Sequence, residues 1–181
     1  MSKHTLILGG AKSGKSTLAL ELANQAGGRR VFLATAQAGD HEMQDRIRRH
    51  QAERGPEWST VEEPIDLRAA LKNADHADAV LVVDCLTLWL SNLLTVAQMP
   101  ADEVIAKGRD LAALLPELEA QVILVANEVG LGIVPDNALA RLYRDLAGGL
   151  NQELAKVCGQ VIFVAAGLPL VLKGGPLESK T

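Results

Sequence analysis

The sequence predicts an α/β fold, a mostly parallel sheet with helices on both faces, and three observations carry that prediction. Runs that are apolar without alternation recur near residues 5–8, 31–35, 79–83, 121–125 and 160–165, and segments of helical period separate them. A strand that is apolar at every position is buried on both sides, as happens where crossover helices cover both faces of a parallel sheet. The third observation is chemical. The first run leads directly into Gly9-Gly10-Ala11-Lys12-Ser13-Gly14-Lys15-Ser16, a complete phosphate-binding loop.

Each element has its own reason. After the loop, residues 17–23 continue as a helix whose positive dipole end faces the bound phosphates. Residues 31–35 form the second strand, and 40–54 a strongly charged helix with Asp40 at its N-cap, ended by Gly55-Pro56. Residues 58–62 read as a short strand, and 65–72 as a helix with Leu67, Ala70 and Leu71 on its apolar face. The strand at 79–83 closes on Asp84, and helices at 86–96 and 101–115 follow, the second ended by Pro116. The strand at 121–125 opens into a polar, glycine-containing stretch at 127–136. A long amphipathic helix at 137–157 then leads to the strand at 160–165. Within 161–172, Gly167 and Pro169 divide the run into a strand, a turn and a short strand, too short to span a bilayer as a helix. The tail after Gly174 has the composition of a disordered end. At 181 residues the chain suits one such domain, so residues 1–181 are expected to form a single nucleotide-binding catalytic unit.

Composition excludes several classes. A net charge of −4 gives no basic field for gripping nucleic acid, and nearly half the residues (48%) are apolar, which fits a soluble protein. No leader is expected ahead of a phosphate loop that begins at residue 9. Cys85 and Cys158 lack metal-ligand spacing and read as small core residues in a reducing compartment.

In a parallel sheet, ligands gather at the carboxyl ends of the strands. That directs attention to Gly9–Ser16, residues 34–37, Glu62, Asp84 and Asn127-Glu128. In the loop, successive backbone N–H groups wrap an anion, Lys15 reaches the β- and γ-phosphates, and the Ser16 hydroxyl can ligate Mg²⁺. Asp84 stands at a strand end from which P-loop proteins present a carboxylate to the Mg²⁺ shell, so Ser16 and Asp84 are expected to share the metal. Lys12 adds a second loop cation or stays solvated. The charged helix carries Arg46, Arg48, Arg49 and Arg54 around His50. Spacing places Met43, Ile47, His50 and Arg54 on one face, which also suits a histidine packed at the core edge. Trp58 and Trp89 read as core or interface anchors. Arg141, Arg144 and Asp145 lie one helical turn apart, at an interface, at a substrate edge or in surface i,i+4 pairing.

Five segments taken together resemble one family: the phosphate loop at 9–16, Ala34-Thr35-Ala36, Arg46-Ile47-Arg48-Arg49-His50, Asp84-Cys85-Leu86-Thr87-Leu88-Trp89, and Asn127-Glu128-Val129-Gly130-Leu131-Gly132-Ile133-Val134-Pro135. The likeness, running from first strand to last, is to the bifunctional adenosylcobinamide kinases / adenosylcobinamide-phosphate guanylyltransferases. It implies a cytoplasmic enzyme of cobalamin biosynthesis with a RecA-like P-loop NTPase fold, often assembled as a homo-oligomer, a trimer. The implied chemistry is phosphorylation of adenosylcobinamide by ATP or GTP, then transfer of GMP from GTP to the new phosphate, releasing pyrophosphate. The family's guanylylated histidine falls on His50. Its nucleotide contacts fall on Gly9, Gly10, Ala11, Lys12, Ser13, Gly14, Lys15 and Ser16, on Ala34, Thr35 and Ala36, on Gln51, Ala52, Glu53 and Arg54, and on Glu62 and Asp84. Its partner is a small-molecule corrinoid, with neither nucleic acid nor a membrane span.

Those residue types suit that chemistry. A histidine of ordinary pKa, roughly 6.5, is largely neutral near pH 7 and is then a nucleophile toward phosphorus. Surrounding arginines disfavour the imidazolium and neutralise charge on the α-phosphate and departing pyrophosphate. The kinase step relies on Lys15, the loop backbone and Mg²⁺, with Glu128 a candidate base and Asn127 a candidate orienting group. Two other readings remain at this point. One is a P-loop small-molecule kinase without nucleotidyl transfer. The other is a GTP-dependent switch, against which stands the lack of an Asn/Thr-Lys-x-Asp base-reading motif.

Overall fold

The computed structural model describes residues 2–36 and 54–177. The helix expected at 40–54 lies outside them except for Arg54.

Seven strands form one sheet among the described residues: β1 (Thr5–Gly9), β2 (Arg29–Ala34), β3 (Trp58–Glu62), β4 (Ala79–Asp84), β5 (Gln121–Asn127), β6 (Gln160–Ala165) and β7 (Leu168–Lys173), in the order β3-β2-β4-β5-β1-β6-β7. All neighbours pair in parallel except β6 and β7, which form an antiparallel hairpin at the edge. The helices are α1 (Lys15–Ala26), α2 (Leu67–Ala74), α3 (Leu86–Thr95), α4 (Ala101–Leu114) and α5 (Ala138–Val157).

The continuous apolar runs bury both faces, as expected. Alternate residues of one strand enter different cores. Leu6, Leu81, Leu124 and Val161 join the core packed by α2, α3, α4 and α5, whereas Ile7, Val80, Val82, Ile123 and Ile162 join the one that includes Ala19 and Ala23 of α1. Burying one such leucine or isoleucine fully stabilises by about 1.5–3 kcal/mol, so the central strands anchor the carboxyl edge of the sheet.

The boundaries depart from the expected ones where local hydrogen bonds decide them. Helix α1 starts at Lys15, two residues early, because Gly14 takes a left-handed conformation that ends the loop and its carbonyl accepts from Leu18 N at 3.0 Å. Helix α2 starts at Leu67 because the Glu63 carboxylate accepts from Ile65 N and Asp66 N at 2.9 and 2.7 Å, holding that stretch as a turn. Asp66 then caps the helix by accepting from Ala69 N at 3.2 Å. Of the tail after Gly174, residues 175–177 are described, and they are tied to the fold. Gln160 Nε2 donates to the Gly175 carbonyl at 3.2 Å, and Leu177 packs against the core on the α1 side.

Both cysteines are free and buried, as read from the sequence, and burial raises both thiols, Cys158 to about 12. Both tryptophans are core anchors. Trp58 meets Phe32 edge-on with centroids 6.4 Å apart, and Trp89 Nε1 donates to the Ile65 carbonyl at 2.8 Å. No helix of the described residues is long and apolar enough to cross a membrane.

Candidate nucleotide site at the carboxyl edge of the sheet

Strand register builds the site before any side chain is considered. Ala34 is level with both Glu62 and Asp84, and Gly9 is level with Asn127 and Val164. Neighbouring parallel strands lie about 4.8 Å apart, so the ends of β3, β2, β4, β5 and β1 form one ledge. All the described strand-end residues singled out in the sequence stand on it.

The phosphate loop is held from both sides. Glu128 N donates to the Gly9 carbonyl at 2.9 Å, and Gly167 N, in the β6–β7 turn, donates to the Ser13 carbonyl at 2.8 Å. Two glycines are required by packing. A Cβ on Gly9, where φ is +152°, would lie 2.3 Å from the Val164 carbonyl oxygen, and one on Gly14, where φ is +102°, would lie 3.2 Å from Gly167 Cα. The loop therefore presents its backbone as a preformed anion cradle at the start of α1.

Lys15 is buried within that cradle. Its ammonium donates to the Gly10 carbonyl at 2.5 Å and approaches the Ser13 hydroxyl at 3.5 Å. Burial lowers its pKa, and the opposing charge of Asp84 partly restores it. That coupling brings together two residues that stand far apart in sequence. Ser16 follows Lys15 in the first turn of α1, and Asp84, partly exposed, ends β4. Lys12 is exposed, with φ +55°.

Other expected contacts take distinct places. Glu62 is exposed at the end of β3, and Ala36 is partly buried beyond β2. Arg54 is buried with its guanidinium carbon 3.7 Å from the centroid of the Phe32 ring, and its Nη2 donates to the Thr60 hydroxyl at 3.3 Å. It thus stacks on the outer strands β2 and β3. Glu128 turns into its own loop, accepting from Gly130 N at 2.5 Å. Arg141 Nη1 likewise serves local structure, donating to the carbonyls of Pro135 and Asp136 at 2.9 and 2.6 Å. Arg144 approaches its neighbour Asp145 at 3.7 Å, in place of the expected i,i+4 pairing. His50, Gln51, Ala52 and Glu53 lie outside the described residues, as do Arg46, Arg48 and Arg49.

Sequence reasoning missed a polar scaffold behind the ledge. Asn127 N donates to the Thr87 hydroxyl at 2.7 Å, Tyr143 OH donates to the Thr87 carbonyl at 2.8 Å, and Asn92 Nδ2 donates to the carbonyls of Thr35 and Pro64 at 2.8 and 3.2 Å. Burial raises the Tyr143 pKa, so its hydroxyl stays a donor. One signal was available. Asn92 sits among Trp89, Leu90, Leu93 and Leu94 on an apolar helix, and an amide in such a setting needs buried partners.

A glycine cradle at a helix start, a buried lysine coupled to a strand-end aspartate and a parallel sheet define a P-loop nucleotide-binding protein. Its fold is RecA-like: the crystal structure of the RadB recombinase superposes with a TM-score of 0.51 at 16% identity, over 90% of this chain and 74% of that one. The chain belongs to the cobinamide kinase / cobinamide phosphate guanyltransferase family, whose model matches residues 5–172. It is 49% identical over 172 residues to the bifunctional adenosylcobalamin biosynthesis protein CobP of Pseudomonas aeruginosa, covering 95% of this chain and 98% of that protein. It is 35% identical over 179 residues to the bifunctional adenosylcobalamin biosynthesis protein CobU of Escherichia coli, covering 93% and 98%.

Proposed function

We propose that this chain carries out both reactions of its family within one catalytic unit. It phosphorylates adenosylcobinamide with ATP or GTP, then guanylylates the product through a covalent histidine. The observation that carries this reading is the joining of a complete phosphate cradle to an end-to-end family match. A kinase without nucleotidyl transfer, or a GTP switch, needs the cradle alone.

For the kinase step, the loop backbone and the Lys15 ammonium hold the phosphates and offset charge on the transferred group. Ser16 and Asp84 are the residues that would hold Mg²⁺. They fit it in kind: a hydroxyl and one carboxylate suit an ion that keeps waters and takes its remaining oxygens from phosphates. Among the described residues no group of three or more acidic, His or Cys side chains forms a separate metal cage. When bound, the ion would neutralise phosphate charge. Ala34, Ala36, Glu62 and Arg54 are proposed nucleotide contacts, and so are Gln51, Ala52 and Glu53.

For the second step, a ring nitrogen of His50 attacks the α-phosphorus of GTP. The bond to the bridging oxygen breaks, pyrophosphate leaves, and the imidazole proton passes to solvent. A phosphate oxygen of adenosylcobinamide phosphate then attacks the same phosphorus, the P–N bond breaks and the freed ring nitrogen takes a proton back from solvent, giving adenosylcobinamide-GDP and restoring neutral His50. Incubation with α-labelled GTP should leave acid-labile, alkali-stable label on the denatured chain. His50→Ala should lose that label while keeping some phosphoryl transfer. A wild-type chain that stays unlabelled would overturn the covalent route.

The reading includes a cytoplasmic homo-oligomer, a trimer. Support for association comes from edge strand β7, where Leu168 and Leu170 alternate onto one face and Leu172 follows in the irregular pairing with β6, all three exposed.

A further inference from the structure

We infer that Thr35 is a positioning residue that sets the Asp84 carboxylate, and not a side-chain contact to the nucleotide. Thr35 follows β2 at the centre of the ledge and is fully buried, with 0% exposure. Its hydroxyl donates to the Cys85 carbonyl at 2.8 Å and accepts from Cys85 N at 2.9 Å. Its own N–H donates to the Asp84 carbonyl at 3.3 Å, and its carbonyl accepts from Asn92 Nδ2 at 2.8 Å. Thr35 thus spends its backbone N–H, its backbone carbonyl and its hydroxyl proton on the protein.

Three of these four bonds end on the backbone of residues 84 and 85, where β4 stops and α3 begins. At that point the β4–β5 and β2–β4 ladders have run out: Asp84 is the last residue of β4 paired on either side. Backbone beyond a ladder needs other partners when buried, and the Thr35 hydroxyl supplies both a donor and an acceptor to one residue, Cys85, bonding the peptide units on either side of it. The bonds fix the direction in which the Asp84 side chain leaves the strand. Asn92 extends the brace by tying Thr35 and Pro64 to helix α3.

This inference rests on the reading of Asp84 as a partner of the Mg²⁺–nucleotide complex, and the experiment separates the two. GTP affinity is measured by equilibrium titration with Mg²⁺ and with EDTA, and the ratio of the two is the readout. Thr35→Val, which keeps shape and loses the hydroxyl, should shrink the Mg²⁺-dependent gain by about tenfold, the effect of unpairing buried backbone groups. Affinity in EDTA should stay within about twofold of wild type, since no contact to the nucleotide is lost. Thr35→Ser should restore the gain. Asp84→Asn should lower it at least as far, and Thr35→Val added to Asp84→Asn should lower it no further, because one residue acts through the other.

An unchanged ratio in Thr35→Val beside a reduced one in Asp84→Asn overturns the inference and leaves the metal reading intact. An unchanged ratio in Asp84→Asn overturns the metal reading and the inference with it. Affinities that fall equally with Mg²⁺ and EDTA in Thr35→Val make Thr35 a direct contact and also overturn the inference. Should Thr35→Val not fold, Thr35→Cys, whose thiol makes weaker hydrogen bonds, reads the same ratio: a reduced value supports the inference and a wild-type value overturns it.

Discussion

The loops that leave the neighbouring strands β1 and β5 start level with each other, Gly9 opposite Asn127, and are built in opposite ways. The phosphate loop buries Ser13 and Lys15 and is pinned by backbone hydrogen bonds to the starts of two other turns. The loop at residues 128–137 turns apolar side chains outward: Leu131 is 81%, Ile133 96% and Val134 58% exposed. A phosphate is small and always the same shape, so it is best met by backbone groups fixed in advance by packing. The second loop is shaped by a few local hydrogen bonds, chiefly from Gly130 to Glu128 and from Arg141 to Pro135 and Asp136. Sensitivity to substitution should therefore differ sharply between two loops that stand side by side.

The largest effect is expected at Gly9. In Gly9→Ala the methyl group meets the Val164 carbonyl of β6, a backbone atom that can move only with its strand, at a φ that L residues rarely adopt. Strand β6 pairs along all of β1, so displacement there disturbs the centre of the sheet. Thermal or urea denaturation should show a loss of about 3 kcal/mol, at the high end for one substitution. Nucleotide binding should fall with it. A Gly9→Ala protein of wild-type stability would mean that the cradle is not locked by β6.

These loops also differ in how far the sequence disclosed them. The phosphate loop was legible because its chemistry demands particular residues at fixed spacing, and the strands around it because double burial forces unbroken apolar runs. Asp84 was found by the same logic, a carboxylate closing an apolar strand. Arg54 was read as one of a group of cations and, through resemblance, as a nucleotide contact. Its stacking on Phe32 depends on two outer strands pairing in register, which no local pattern records. Thr35 was named through resemblance as a nucleotide contact, and its bonds reach residue 85, fifty positions along the chain. Long-range side-chain to backbone bonds leave no periodic trace. The helical reading of 40–54 and the position of His50 relative to the cradle lie outside the described residues.

The opposite end of the same two strands offers a second contrast, with a smaller effect. Buried His4 precedes β1 and accepts through Nδ1 from Val122 N of β5 at 3.2 Å, while the Leu115 carbonyl takes a ring hydrogen bond. Burial is the main cause that lowers its pKa below the usual 6.5, with Lys3 adding to the effect and the Leu115 bond and Asp75 opposing it. The native state then binds protons less readily than the unfolded chain. Stability from this group is fully present above the unfolded pKa and is lost as pH falls below it, with a slope of at most about 1.4 kcal/mol per pH unit. Denaturation midpoints from pH 7.5 to 5 should decline in wild type and decline less in His4→Gln. Equal slopes in the two proteins would show that His4 does not gate the pairing at the amino end.

The smallest effect should come from the exposed loop, and its smallness is what gives the comparison its content. In Ile133→Ser the side chain leaves a site where 96% of its surface already meets water, so little apolar burial is lost and no cavity forms. Nor does Ile133 hold any hydrogen bond that shapes its loop, since those run through Glu128, Gly130 and Arg141. Stability should stay within about 0.5 kcal/mol of wild type, against the several expected for Gly9→Ala one strand away. Measured at two protein concentrations tenfold apart, the difference also tests whether this face is covered by another copy. A loss above about 1 kcal/mol that grows on dilution would mean that Ile133 is buried in an assembly, because a subunit contact stabilises by mass action and an isolated loop does not. A small, concentration-independent change would confine any such assembly to other surfaces, with the leucines of β7 the next to substitute.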